Sequence, residues 1–276
     1  MTDGPGLEPC LWVGINFAKT LAFAWDLKII PVNHIEAHLL ANIVNGKEQI
    51  EFPAIGLIVS GGHTQLVLIE AIGKYQTIGE TLDDACGECF DKTARILGLG
   101  YPGGPAIAVA AKQWSVINNP PASPNETLRA GQLSVKLPRP MINSKNMDFS
   151  FSGLKTAVLY DYKKRTPDEK KSKEYIPSMA KEIQQSIIDV LIKKTIKAAN
   201  TYVAKTIIIG GGVSANEELR QQFRYKLQTK NSELNFLIPE KNLSTDNAGM
   251  IGLTAFFHLK NKKSWDKINA QANLKI

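Results

Sequence analysis

The stretch "TIIIGGGVSANEELRQQF" (206–223) holds a run of β-branched residues, three consecutive glycines and then a polar segment with apolar residues at helical spacing. A β-branched run without polar alternation reads as a strand buried on both faces, as in a parallel sheet. The glycines that follow let the backbone approach a ligand closely, because they carry no Cβ and tolerate positive φ. A helix opening after such a turn offers free N–H groups and a positive dipole end, which suits a phosphate. The stretch is neither a Walker A loop nor a G-x-G-x-x-G fingerprint.

The device recurs. "PAIGLIVSGGHTQLVLIEAIGKYQTIG" (53–79) reads as two strands joined by a Gly-Gly turn, and "GYPGGP" (100–105) is a third glycine-rich turn. Three such turns in one chain favour nucleotide binding. Helical patterns are expected over 10–25, from Asn33, over 84–98, 152–164 and 174–202, and within the closing stretch "STDNAGMIGLTAFFHLKN" (244–261). Ser244, Thr245 or Asp246 is the expected N-cap of that closing helix. "KIIPV" (28–32) and "LNFLIPE" (234–240) read as strands, and 115–150 as loop with a short hairpin around "GQLSVKLPRP" (131–140). Strands alternating with helices make the class α/β.

With 276 residues, 43% hydrophobic and 21% charged, the chain can bury a sizeable core and does not have the composition of a disordered protein. No apolar run reaches membrane-spanning length, and "MTDGPGLEPC" has neither a basic n-region nor an apolar signal core, so a cytoplasmic location is expected. Three cysteines fit a reducing compartment. Cys86 and Cys89 form a C-x-x-C, but inside an amphipathic helix and without a second pair to complete a zinc ribbon, so they read as small packed residues. The net charge of +7 suits an anionic partner such as RNA, although much of it sits in lysine runs at 161–175 and 258–265 that read as solvated faces.

Two of the four histidines, His34 and His38, stand four apart in "NHIEAHLL" (33–40). Residues i and i+4 share a helix face, so both can reach one metal ion. A zinc peptidase of the H-E-x-x-H class carries its general base directly after the first histidine. Position 35 is Ile, and Glu36 lies roughly 200° around the helix from His34. The peptidase reading therefore lacks its base. Two histidines leave a metal shell incomplete, and Asp246 at the head of the last helix is a plausible third ligand that spacing alone does not single out.

"GPGL" (4–7), "NHIEAHL" (33–39), "SGGHTQL" (60–66), "GETLDDACGECFDK" (79–92), "GYPGGP" (100–105), "DFSFSGLKT" (148–156), "GGGVSAN" (210–216) and "TDNAGMI" (245–251) occur together and in this order. In that respect the chain resembles the tRNA N6-adenosine threonylcarbamoyltransferase catalytic-subunit family, once described as endopeptidases. The resemblance covers nearly the whole chain. It implies a two-lobed actin-like ATPase (ribonuclease H-like) fold with the first lobe incomplete: residues 1–50 as a remnant of that lobe, packed with the closing segment 246–276, and 51–245 as the second lobe.

It also implies transfer of a threonylcarbamoyl group from threonylcarbamoyl-AMP to N6 of adenosine 37 in tRNAs reading ANN codons. By the same resemblance His34, His38 and Asp246 hold one divalent metal, iron or zinc. Ile58, Val59, Ser60, Gly61, Gly62, Asp91, Gly104 and Asn216 line the adenylate. No general base stands out, and His63, beside the adenylate loop, is the nearest candidate. Asp83, Asp84, Glu88 and Lys92 form a charged cluster that is equally readable as structural. Implied partners are tRNA, a dimerising paralogue and a small ATPase subunit of bacterial type. The alternatives are a catalytically inactive nucleotide-binding interaction subunit and a truncated, inactive fragment of the enzyme.

The family's chains begin well upstream of Met1, with a strand–turn–strand that this sequence does not contain. A chain of this length is accordingly expected to expose strand edges and apolar surface, to be poorly soluble and to have little or no transferase activity.

Overall fold

The computed structural model describes residues 1–43, 49–118, 135–230 and 233–276. In chain order it contains β1 (Thr2–Gly4), α1 (Glu8–Ala24), β2 (Val32–Asn33), α2 (His34–Leu40), β3 (Ala54–Val59), β4 (Thr64–Ala71), β5 (Lys74–Glu80), α3 (Cys86–Ile96) and α4 (Gly103–Asn118). Then follow α5 (Ser152–Lys164), α6 (Pro167–Lys171), α7 (Tyr175–Thr201), β6 (Thr206–Gly210), α8 (Glu217–Lys230), β7 (Asn235–Leu237) and α9 (Ala248–Phe257).

Five strands form the main sheet in the order β5-β4-β3-β6-β7. β3, β4 and β5 pair antiparallel, whereas β3, β6 and β7 pair parallel, with Ile58 opposite Gly210. Three antiparallel strands continued by parallel ones are the ribonuclease H-like half of an actin-like fold. Side chains alternate strictly across the sheet. Ile55, Leu57, Val59, Ile207 and Ile209 face a large core with α3, α4, α5, α7 and α8. Ala54, Ile58 and Ile208 face the other way, against Ile35 and Leu39 of α2. Burial on both faces is why β3 and β6 read as unbroken apolar runs.

Around the other side of α2, Val32, Ala37 and Ala41 pack on Met250 of α9. β1 and β2 form a short parallel pair beside them, and the C-terminal tail returns to meet α1 at Ile268. α1 is apolar on nearly every side, yet buries only Ile15 and Ala22; Val13, Phe17 and Phe23 are largely exposed.

Several expectations need correction. The segment 53–79 holds two strands and most of a third. β5 alternates weakly and lies at the sheet edge, where only Gly79 is buried, so no apolar run marks it. α4 begins inside "GYPGGP", which looks like a pure turn. Proline is tolerated in a helix's first turn, and Asp91 on α3 accepts a hydrogen bond from the Gly103 amide at 2.6 Å, so the cap comes from another helix. The strand expected over 28–32 is reduced to Val32–Asn33. The N-cap of α9 is Asn247, whose Oδ1 accepts from the Met250 amide at 2.9 Å, and not Ser244, Thr245 or Asp246. The hairpin expected around 131–140 lies partly outside the described residues, and Val135–Arg139 form no strand.

Candidate active site

α2 is set by its cap. Asn33 Oδ1 accepts from the amides of Ile35 and Glu36 at 2.9 and 3.2 Å, starting the helix at His34. One turn separates His34 from His38, and their rings meet edge to face with centroids 4.7 Å apart. Ile35 points under the sheet and is buried there, so a glutamate base at that position would be in the core rather than in a site.

The loop before α9 brings Asp246 to the same place. Its Oδ1 lies 3.3 Å from His34 Nε2 and 3.2 Å from His38 Nε2. One ligand atom from each of the three residues falls within 4.8 Å of the others. A tetrahedral ion about 2.1 Å from each ligand would hold its ligands roughly 3.4 Å apart, so the two histidine–aspartate spacings and the two-imidazole, one-carboxylate donor set fit a divalent cation. His38 is almost fully buried; its Nδ1 has no hydrogen-bond partner among the described residues, and its Nε2 is the ring atom that faces Asp246. Hydrogen bonds from His34 and then His38 hold the Asp246 carboxyl well below the usual carboxylate range, which keeps it ionised as a ligand must be. A cavity of about 530 Å³ opens beside His34 and Asp246, walled by Pro5, Leu7, Leu11 and Met250.

The glycine turns stand at the C-terminal ends of the neighbouring strands β3 and β6, the usual ligand edge of an open α/β sheet. Gly211 has φ +92°, and a Cβ there would lie 2.5 Å from the Val59 carbonyl oxygen. Among the described residues, a Cβ on Gly61, Gly62, Gly104 or Gly212 would meet no atom within 4 Å, so the backbone at these four positions borders open space. Ile58 and Val59 are fully buried, and any contact they make with a ligand is through the main chain.

The helix after "GGG" differs from expectation. A 3₁₀ turn, Gly212–Ala215, intervenes, and α8 opens with Glu217 and Glu218. Two acidic residues there disfavour a phosphate at the α8 N-terminus, so the amides of the glycine turn itself are the better donors.

Asn216 is the α8 cap: its Oδ1 accepts from the Leu219 amide at 3.0 Å and its Nδ2 donates to Gln184 at 2.9 Å. Asp91 ties α3 to α4 through Gly103, leaving its second oxygen without a partner among the described residues. His63 closes the β3–β4 turn, where its amide donates to Ser60 Oγ at 3.0 Å. Burial, and then the nearby imidazoles of His34 and His38, push the His63 pKa down, so it is a neutral base at pH 7.

The structure therefore gathers His34, His38, Asp246 and His63 in one region, with Ser60 to Gly62 at the turn His63 closes. Asp91 and Gly104 stand together on α3 and α4. The side chains of the charged cluster are engaged in hydrogen bonds and ion pairs with the protein itself. Asp83 accepts from the Phe151 and Ser152 amides and the Ser150 and Ser152 hydroxyls, capping α5 from 68 residues away in sequence, while Asp84 and Glu88 both pair with Lys92. Cys86 and Cys89 are fully buried, and burial pushes the Cys86 thiol up to about 12 and Cys89 higher still. Both are therefore neutral thiols packed in the core.

One residue escapes sequence reading. Arg220 on α8 is buried among the described residues without a carboxylate. Its Nε donates to the Ser214 carbonyl at 2.7 Å, and its Nη2 to the Pro239 carbonyl at 2.6 Å and to Ser244 Oγ at 2.8 Å. It thus braces the glycine turn against the loop that presents Asp246. A helical arginine followed by more charged residues looks like a solvated face, and nothing in the spacing distinguishes it. A larger groove of about 1010 Å³ between α4 and the start of α7, lined by Leu99, Tyr101, Pro102 and Ile176, holds none of the residues gathered around His34.

The family model described as "tRNA N6-adenosine threonylcarbamoyltransferase" matches residues 1–253. A relative bearing that name from Syntrophomonas wolfei is 44% identical over 262 residues, spanning 95% of this chain and 71% of the relative. Another, from Clostridium botulinum strain Hall, is 41% identical over 278 residues, spanning all of this chain and 75% of the relative. Among solved structures, T. kodakarensis HypF superposes with a TM-score of 0.61 over 89% of this chain and 38% of its own, at 12% identity, a likeness of fold alone.

Proposed function

This chain belongs to the tRNA N6-adenosine threonylcarbamoyltransferase family, and on that premise we propose that it forms N6-threonylcarbamoyladenosine at position 37 of tRNAs reading ANN codons. The observation that carries the reading is the family match over residues 1–253, in a chain where two histidines and an aspartate converge beside the glycine turns. The donor is threonylcarbamoyl-AMP, a mixed anhydride. The adenosine N6 nitrogen attacks its carbamoyl carbon, a C–N bond forms, the C–O bond to phosphate breaks, AMP leaves and N6 loses a proton.

Each part has a residue suited to it. Main-chain amides at Gly61, Gly62 and Gly212 border open space and can hold the phosphate. The second oxygen of Asp91 can accept from a ribose hydroxyl. Asn216, its side chain engaged by Leu219 and Gln184, holds the end of the glycine turn and keeps one N–H for the adenylate. Neutral His63 is the nearest group able to take the N6 proton. One divalent ion, iron or zinc, on His34, His38 and Asp246 would neutralise and orient the anionic donor. The tRNA is an anionic partner for a chain of net charge +7, and the reading carries with it a cytoplasmic location, a dimerising paralogue and a small ATPase as helpers.

The test is direct. Contrary to the expectation from its length, the protein, supplied with bacterial helper subunits, threonylcarbamoyl-AMP and an ANN-reading tRNA transcript, should yield the modified nucleoside on digestion and mass analysis. Product absent, with nucleotide still bound, would favour the non-catalytic subunit instead.

A further inference from the structure

α9 is fastened to α2 at both ends. Asp246 precedes its N-cap and meets His34 and His38; His258 follows its last residue and its Nε2 lies 2.8 Å from Glu36 Oε1. Between these points Met250 packs on Ala37 and Ala41. Glu36 is almost fully buried, and the same oxygen accepts a 2.6 Å hydrogen bond from Tyr75 Oη on β5. One carboxylate on α2 therefore joins the main sheet, α2 and the far end of the helix that follows Asp246.

We propose that Glu36, acting through His258, is a positioning residue for the His34–His38–Asp246 set; the proposal rests on the metal reading above. α9 has ten residues and is about 15 Å long. It crosses α2 near Met250, so it can pivot there. Releasing the His258 end lets the Asp246 end swing about half as far, because Asp246 lies four residues from Met250 and His258 eight. A ligand atom displaced by about 1 Å no longer shares a coordination sphere with two imidazoles fixed on α2. Glu36 faces away from the His pair and is no ligand itself. Its two bonds do different work: His258 fixes α9, whereas Tyr75 fixes α2 to the sheet edge. His258 also rests against the β4–β5 turn, 3.6 Å from where a Cβ on Gly73 would stand.

The probe is Co²⁺, titrated into the full metal-free chain against a chelator, with the visible d–d spectrum as a record of coordination geometry. His258→Ala should weaken cobalt affinity about ten- to a hundredfold and alter the spectrum. Tyr75→Phe should lower the melting temperature with cobalt affinity within about twofold of wild type, because the Glu36–His258 bond survives. Glu36→Ala should match His258→Ala, and Glu36→Gln, which keeps an acceptor oxygen for His258, should restore most of the affinity.

Unchanged cobalt affinity and spectrum in His258→Ala, or equal losses in His258→Ala and Tyr75→Phe, would overturn the positioning role while leaving the metal site intact. A wild-type chain that binds cobalt no better than the His34→Ala/His38→Ala double variant would instead overturn the metal reading, and this proposal with it.

Discussion

Gly210 lies so close beneath His38 that a Cβ on it would come within 2.6 Å of the His38 carbonyl oxygen. The end of β6 and the last turn of α2 are in backbone contact there, so the glycine turn and the histidine pair meet directly. Gly210→Ala must push α2 away from the sheet. Overpacking of this kind costs about 1–3 kcal/mol, and here the strain falls on a metal ligand. The variant should fold with a lowered melting temperature and bind zinc or cobalt more weakly than wild type. Gly212→Ala, where a Cβ meets nothing within 4 Å, should keep metal affinity and instead weaken binding of an adenylate analogue, measured by calorimetry.

Arg220 couples the glycine turn to the Asp246 loop through three neutral acceptors. Burial lowers its pKa, yet a guanidinium stays protonated in any folded protein, so its charge is balanced by oriented carbonyl and hydroxyl dipoles. Arg220→Met leaves the Ser214 and Pro239 carbonyls and the Ser244 hydroxyl short of a donor, at about 1–3 kcal/mol for each group that water cannot reach. Unfolding in urea should show the loss, and Arg220→Lys should not restore it, because an ammonium cannot span both loops in one plane. The donor KM should rise together with the drop in metal affinity, since both loops lose the same brace.

How far such features could be read from the sequence depended on range. The buried strands β3 and β6, the helices from Ser152 and from Tyr175, and the shared face of His34 and His38 follow from spacing within a few residues, and all were legible. Asp246 came from family resemblance, because its partners on α2 lie more than 200 positions away. Glu36 read as a misplaced base. Its actual partners, Tyr75 and His258, are 39 and 222 residues distant, and no local pattern encodes a pairing at that separation. α4 and β5 were hidden for a different reason: one takes its cap from Asp91 on another helix, and the other is a polar edge strand defined by its neighbour β4.

Asp83 caps α5 from 68 residues away, and its protonation should be visible in acid. Burial alone would raise its pKa, but the hydroxyls of Ser150 and Ser152 and the amides of Phe151 and Ser152 outweigh this and lower it. A carboxylate whose folded pKa is depressed adds stability above its unfolded value near 4, and that contribution disappears as pH falls through the folded value. Asp83→Asn should therefore be less stable than wild type at pH 7, by about 1 kcal/mol as for other lost caps. The gap should close below about pH 4. A gap that stays constant in urea titrations from pH 7 to pH 3 would remove the carboxylate from this role.

The three thiols should separate cleanly by reactivity. Cys10 is exposed, whereas Cys86 and Cys89 are buried beneath α5, where Cys89 Sγ lies 3.6 Å from the Phe151 carbonyl oxygen. With pKa values pushed to about 12 and above by burial, neither has a usable thiolate fraction at pH 8. A thiol reagent should label one cysteine in the native protein and three after denaturation. Cys86→Ala/Cys89→Ala should leave metal content unchanged.

The metal reading itself makes a prediction about stability. His34, His38 and Asp246 lie on two separate segments, so an ion bound by all three adds a cross-link that the unfolded chain lacks. A ligand that binds the native state alone stabilises it by an amount set by its excess over Kd, about 2.7 kcal/mol at a hundredfold excess. Adding Zn²⁺ or Co²⁺ to metal-stripped protein should raise the melting temperature, more at higher metal concentration. Asp246→Asn conserves shape but replaces an anionic ligand with a poor neutral one, and should abolish most of the shift. Equal shifts in wild type, Asp246→Asn and the His34→Ala/His38→Ala double variant would mean that the ion binds elsewhere on the surface.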